Sequence, residues 1–256
     1  MLPLLERIIE TLPTGWIPSS LYLGLNWTLA ITQNQQGERQ AGLAATPAPG
    51  RVAGQSLFQY GSNLVESTST LTLAQRACSS DPVEAAVGLA TLNAFLRPDP
   101  NRLTQVDAAD WLVTHGQGRK VALIGRFPFI DELKPVVAQL WVLELSPQPG
   151  EYDPAAAPQL VPQADVVAIT SSTLINQTLD GLLALARPEA KVMLLGPSTP
   201  LTPVLFEFGV DLLSGVQVVD IEAALVSVAA AGNFQKMKGV RRVTMEKDTR
   251  PLTIDR

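Results

Sequence analysis

Cysteine and histidine are nearly missing from this chain of 256 residues, which carries one of each, Cys78 and His115. One thiol excludes an intramolecular disulfide. One thiol and one imidazole together exclude a Cys/His zinc cluster built from a single chain. Aromatic residues are 5% and charged residues 17% of the chain, against 46% hydrophobic, the balance of a globular protein and not of a disordered one. A basic excess is missing too: the formal net charge is −5, which argues against a sequence-independent grip on nucleic acid. No apolar run approaches the roughly 20 residues that a membrane span requires. The opening Met1-Leu2-Pro3-Leu4-Leu5-Glu6-Arg7 lacks the basic stretch and small-residue cleavage site of a signal peptide. The expected address is cytoplasmic, without nucleic acid or membrane as partner. An apolar, aromatic-poor chain of this size is also expected to form a homodimer.

The two scarce residues have unexceptional surroundings. Cys78, in Leu73-Ala74-Gln75-Arg76-Ala77-Cys78, reads as a buried structural thiol. His115, in Thr114-His115-Gly116-Gln117-Gly118, reads as a solvated residue on an exposed linker. Any metal would have to be held by carboxylates, carbonyls and hydroxyls, or arrive already chelated. A chelated metal ion is accordingly the one cofactor expectation.

The length suits two domains of about 100–150 residues each. In the first half, residues 4–12 show helical spacing, and Leu21 to Ile31 has the period of a half-buried strand. After the turn at Gln33 to Gly37, residues Gln40 to Ala45 suit a hairpin partner, and Ser69 to Arg76 a short helix. Asp81-Pro82-Val83-Glu84 is the clearest helix start, with a cap, a proline for the first turn and an acid placed for a capping box. The helix it opens, Ala85 to Leu96, is apolar almost all round, so Asn93 needs a polar partner in the core or at a domain interface.

The second half alternates short apolar runs (120–124, 140–144, 164–169, 191–195 and 210–213) with helical patterns at 174–186 and 221–231. That order predicts an α/β fold with a Rossmann-like parallel sheet covered on both faces. The expected division is an α+β domain over 1–110, the parallel sheet over 111–235, and a flexible charged tail over 236–256.

The turns after the predicted strands carry the chemistry. Gly196-Pro197-Ser198-Thr199-Pro200 cannot continue the strand before it, and it places the hydroxyls of Ser198 and Thr199 where open α/β sheets bind ligands. Gly125-Arg126-Phe127-Pro128-Phe129 is not a dinucleotide fingerprint, since Phe127 and Pro128 stand where the backbone should approach a cofactor. Arg126 suits an anion. Glu144, 19 positions after Gly125, is where dinucleotide-binding sheets keep an acid for a ribose diol. Thr170, Ser171, Ser172 and Thr173, followed by Asn176, crowd one helix start with polar side chains. Helix capping accounts for one of those hydroxyls and leaves the others for binding. Asp211 is a further candidate acid. No nucleophile–base pair is visible.

These strings are familiar. Gly125 to Phe129, Asp165 to Thr170, Asn176 to Leu179, Gly196 to Pro200 and Gly209 to Gly215 resemble the DUF364 family, a domain named for heavy-metal chelation. Gly24 to Thr28 and Gly88 to Ala94 resemble its usual companion, DUF4213. The resemblance covers roughly residues 5–235. It implies a first domain similar to the amino-terminal domain of enolase, a Rossmann-like second domain, and a site in the cleft between them. The family often has histidine after the first-strand glycine. Here Arg126 replaces that metal ligand with a fixed positive charge.

Two functional expectations follow. One is a protein that binds or processes a small anionic metabolite or metal chelate in the cleft, through Arg126, Ser171, Ser172, Asn176, Ser198 and Thr199, with Glu144 and Asp211 as acids. The other is an enzyme using a nucleotide-type cofactor, NAD(P) or S-adenosylmethionine, with Glu144 on a ribose. The missing glycine fingerprint stands against the second. A pure scaffold would have no need of polar turns gathered on one sheet edge.

Overall fold

A computed structural model describes residues 3–47 and 69–247. A short helix, Leu4–Ile9, buries Leu4, Leu5, Ile8 and Ile9. Three strands follow as an antiparallel meander: β1 (Trp16–Leu23), β2 (Trp27–Asn34) and β3 (Arg39–Ala45). The single strand expected over Leu21 to Ile31 is therefore two strands. The alternation runs on in number through Leu21, Leu23 and Leu25, but the chain reverses between Gly24 and Asn26. Gly24 donates its amide to the Trp27 carbonyl, and Leu25 is left exposed.

The helix Pro82–Phe95 lies across this meander. Asp81 caps it by accepting the amides of Val83 and Glu84, at 2.8 and 3.1 Å. Glu84 does not close the capping box; its carboxylate pairs with Arg76. Apolar on every side, the helix is buried from Ala85 to Ala90 against its neighbours. Contact is close enough to require glycine: a Cβ on Gly42 of β3 would sit 2.1 Å from the Ala94 amide, and one on Gly88 would sit 1.8 Å from the Ala77 amide.

Asp107 caps the next helix, Ala108–Gly116, which runs through the boundary expected at residue 110. Beyond it a six-stranded sheet forms from β4 (Lys120–Ile124), β5 (Gln139–Leu143), β6 (Val166–Thr170), β7 (Lys191–Leu195), β8 (Leu212–Val218) and β9 (Val240–Glu246), in the order β5-β4-β6-β7-β8-β9. The first five are parallel, and β9 pairs antiparallel with β8. Alternate side chains of these strands bury on opposite faces. Ala122, Val167, Ile169, Val192 and Leu194 join one apolar cluster, and Val121, Leu123, Val166, Ala168 and Met193 join the other. Both faces are covered, which is why the strands read as unbroken apolar runs.

Two expectations fail here. The flexible tail over 236–256 is in its described part an edge strand, because Val243, Thr244 and Met245 are buried while the charged Arg241 and Arg242 stay outside. Its remainder, 248–256, lies outside the described residues. The helix expected over 174–186 is broken: a tight turn at Ser171–Leu174 precedes a helix only at Leu179–Leu185. Gln177 marks the break, with φ of 60° and a side-chain amide that donates to Ala77 and Leu174 carbonyls.

One apolar cluster runs from Leu4 through Leu92 to Leu205 and Met245, so the two halves share a continuous core. Among the described residues no helix is long and apolar enough to cross a membrane.

Candidate functional site

The turn at Gly196 to Pro200 leaves β7 at its carboxyl end, as expected, but most of its hydrogen bonding is structural. Gly196 has φ of 133°, and a Cβ there would lie 2.5 Å from Ser171 Oγ, so no other residue fits. Ser198 is 1% exposed, and its Oγ accepts the Ala45 amide of β3 at 2.8 Å. The Asn93 side-chain amide donates to the carbonyls of Leu43, at 2.9 Å, and Ser198, at 3.1 Å. Thus the turn bonds the edge of the first sheet to the second sheet, and Asn93 bridges the two halves.

Where the halves meet, a cleft of about 510 Å³ opens between β3, the end of the helix Pro82–Phe95, the Gly196 turn and the strand pair β8–β9. Its lining includes Arg39, Arg97 and Arg241, with no carboxylate among the described residues that form it. That is unusual in a chain of net charge −5. Arg39 forms an exposed ion pair with Glu222, at 3.2 Å, and Arg241 donates to Gln217 Oε1 at 2.8 Å. Arg97 stacks its guanidinium 3.9 Å from the Trp16 ring centroid and donates through Nη1 to the carbonyls of Ala94 and Leu96. Burial pushes its pKa down to about 10, so it stays charged at neutral pH, and among the described residues no carboxylate pairs with it. Seven buried side-chain polar atoms among the described residues have no hydrogen-bond partner. Four belong to residues of this wall: Arg97 Nε and Nη2, Asn93 Oδ1 and Thr199 Oγ1. Unpaired buried groups are costly, and more than half of those described belong to this wall.

The other expected residues gather elsewhere. Arg126, Glu144, Thr170, Ser172 and Asn176 line a separate cleft of about 380 Å³ at the carboxyl ends of β4, β5 and β6. Arg126 is not free to meet an anion. Its Nε and Nη2 hold both carboxylate oxygens of Glu151, and Nη2 also donates to the Ser146 carbonyl. That guanidinium, with the Gln148 amide, pulls the Glu151 carboxyl down to about 2. Glu144 is fixed in turn: Oε2 accepts the Arg126 amide at 2.8 Å and Oε1 the Leu145 amide at 2.9 Å. Thr170 caps the turn that follows it, accepting the Ser172 amide.

Besides the buried Ser198, three expected residues belong to neither cleft. Phe127 stacks on Phe129, with centroids 5.3 Å apart, and packs against the apolar cluster on one sheet face. Ser171 is buried under Gly196. Asp211 stands before β8, at the amino edge of the sheet, where it pairs with Lys191 at 3.0 Å and accepts the Val192 amide at 2.9 Å. That places it at the wrong end for a ligand that sits at the carboxyl ends.

Cys78 is exposed and not buried, and its thiol pKa is raised by partial burial and by the nearby carboxylates of Glu6 and Asp180. His115 sits in the last turn of the helix Ala108–Gly116, not on a linker, stacked on Trp111 with Nδ1 2.9 Å from that residue's carbonyl oxygen. Among the described residues no group of three or more His, Cys, Asp or Glu side chains is placed to hold a metal ion. The residues that sequence reasoning missed are Arg39, Arg97 and Arg241. The first opens a hairpin strand, the second ends an apolar helix, and the third lay in the presumed tail. Only the fold brings them together.

Residues 107–247 match the model of the family DUF364, described as "Putative heavy-metal chelation", and residues 7–96 match DUF4213, which has the same description. An uncharacterised protein of Methanocaldococcus jannaschii is 31% identical over 178 residues, 66% of this chain and 69% of that protein. The fold is similar to the crystal structure of a DUF364-family protein of unknown function from Desulfitobacterium hafniense DCB-2. The TM-score is 0.80 at 28% identity, covering 95% of this chain and 97% of that one. A second DUF364-family protein of unknown function, from Pyrococcus horikoshii, has a TM-score of 0.78 at 23% identity, over 96% and 100% of the two chains.

Proposed function

The chain belongs to the DUF364 family, and from that premise we propose that it binds a small organic anion, free or carrying a chelated metal ion, in the cleft between its two halves. The observation that carries this reading is the lining itself: Arg39, Arg97 and Arg241, with no carboxylate among the described residues of the wall. A cleft with walls of one charge focuses field and raises the local concentration of the opposite one. Guanidinium groups suit carboxylate and phosphate oxygens, which they meet in two parallel hydrogen bonds. An anion beside Arg97 supplies the counter-charge that its guanidinium does not find among the described residues.

A bare heavy-metal ion does not fit this wall. Three guanidinium groups repel it, and the cleft offers neither thiolate, imidazole nor carboxylate among its described residues. A metal compatible with these residues enters already wrapped in an anionic chelator. In this reading the parallel-dominated sheet is a Rossmann-like domain, and the meander with its covering helix is the enolase-like companion. Strand order and the family resemblance support both assignments.

The test is thermal stabilisation of the full chain by citrate and by the nickel(II)–citrate complex. Either probe is expected to raise the melting temperature, and Arg241→Ala, which removes an exposed guanidinium, is expected to reduce that rise. Greater stabilisation by the complex than by citrate alone identifies a chelate site, and the reverse identifies a site for the free anion. Failure of both probes to stabilise the protein, or an undiminished rise in Arg241→Ala, would overturn the reading.

A further inference from the structure

The cleft at the ends of β4, β5 and β6 is the second concavity on the same sheet edge, and the anion reading makes no use of it. In the order β5-β4-β6-β7 the chain runs on from β4 to β5 on one side and from β6 to β7 on the other. Connections therefore leave the ends of β4 and β6 in opposite directions, and a crevice opens where they part. The cleft, about 380 Å³ in volume, lies at that point, inside the range of about 300–1,000 Å³ usual for small-molecule sites.

Its polar equipment is specific. An ionised carboxylate has roughly four acceptor positions over its two oxygens. The Arg126 and Leu145 amides take up one on each oxygen of Glu144 and lock the group in one orientation. One acceptor remains on each oxygen, side by side, which is the pattern that two neighbouring hydroxyl donors satisfy. Opposite stand the exposed side chains of Ser172 and Asn176. Much of the remaining wall is apolar, with Leu143 and Leu182 inside and Leu145, 74% exposed, on the rim.

The groups placed to hold a phosphate here are taken up by the chain itself. The Gly125 amide goes to the Leu143 carbonyl, the Arg126 amide to Glu144 and the Ser172 amide to Thr170 Oγ1. The guanidinium of Arg126 is held by Glu151. These groups would otherwise cradle a diphosphate.

We propose that this cleft is a ribonucleoside site, in which Glu144 accepts both hydroxyls of the ribose diol and the apolar wall takes the base. The ligand is a nucleoside or a nucleoside bearing an uncharged or cationic 5′ substituent, not a dinucleotide. This site stands apart from the interdomain cleft, and either survives failure of the other.

The experiment titrates the full chain with adenosine, guanosine, cytidine and uridine, followed by saturation-transfer NMR and calorimetry. At least one of the four is expected to bind. Its 2′-deoxy counterpart is expected to bind about tenfold more weakly or worse, the loss of one hydrogen bond to a charged acceptor. Glu144→Gln, which exchanges one acceptor for a donor, is expected to show a similar loss. If that variant does not fold, the comparison of ribose with deoxyribose on the native chain decides alone. No binding by any of the four at millimolar concentration, or equal binding of the deoxy form, would overturn the proposal.

Discussion

Replacing Ser198 by alanine separates a joint from a ligand contact. The sequence places this hydroxyl on a ligand-binding edge, whereas the fold turns it inward to accept the Ala45 amide at 2.8 Å. Ser198 is 1% exposed, so water does not reach the amide once the oxygen is gone. A buried donor left without a partner costs about 1–3 kcal/mol. For a chain of this length each kcal/mol lowers the melting temperature by about 2–4 °C, so Ser198→Ala is expected to melt about 2–12 °C below the native protein. The assay is thermal unfolding followed by circular dichroism, without added ligand. Ser172→Ala is the control: its side chain is exposed in the nucleoside cleft, and its removal is expected to change stability by no more than about 0.5 kcal/mol. A ligand-free Ser198→Ala that melts within about 1 °C of the native protein would show that the hydroxyl is not part of the joint.

Three further outcomes follow from the same geometry. Gly88→Ala drives a Cβ to 1.8 Å from the Ala77 amide and is expected to cost about 3 kcal/mol or more, read by urea denaturation. Gly181→Ala, in the helix Leu179–Leu185 with open space around it, is expected to stabilise by about 0.5–1 kcal/mol; destabilisation would contradict the helical assignment. Glu151, held by Arg126, is expected to titrate near 2 instead of its ordinary 4.5. A lowered carboxyl pKa means that the pairing stabilises the fold fully above about pH 4.5 and loses its effect as the pH falls toward 2. Carboxyl carbon shifts followed by NMR check this, and a midpoint near 4.5 would mean that the Arg126–Glu151 pair does not persist in solution.

Local features were legible in the sequence wherever neighbours along the chain determine them. The Asp81 cap, the unbroken apolar helix behind it and the runs at 120–124 and 191–195 are of this kind. Register errors arose where a pattern continued past its physical end. Leu25 keeps the alternation of β1 while sitting in the turn, and Asp211 precedes β8, whose expected start at Val210 was two residues early. β9 escaped notice because its buried residues are framed by charge on both sides. The site was legible as an edge and not as a set of contacts. Residues 125–126, 144, 170, 172–173 and 176 do share a cleft. Nothing near Arg126 in sequence announces that Glu151, 25 positions on, takes its charge. Likewise, the three arginines of the cleft between the halves come from β3, from the end of a helix and from β9, and only the docking of two sheets makes them neighbours.

That the cleft between the two halves is an anion site is the central claim, and anomalous scattering from crystals soaked in selenate tests it most directly. The account predicts a selenium peak inside the cleft, within hydrogen-bonding reach of at least one of Arg39, Arg97 and Arg241. A cleft left without a peak, with selenate seated against Arg126 instead, would contradict it.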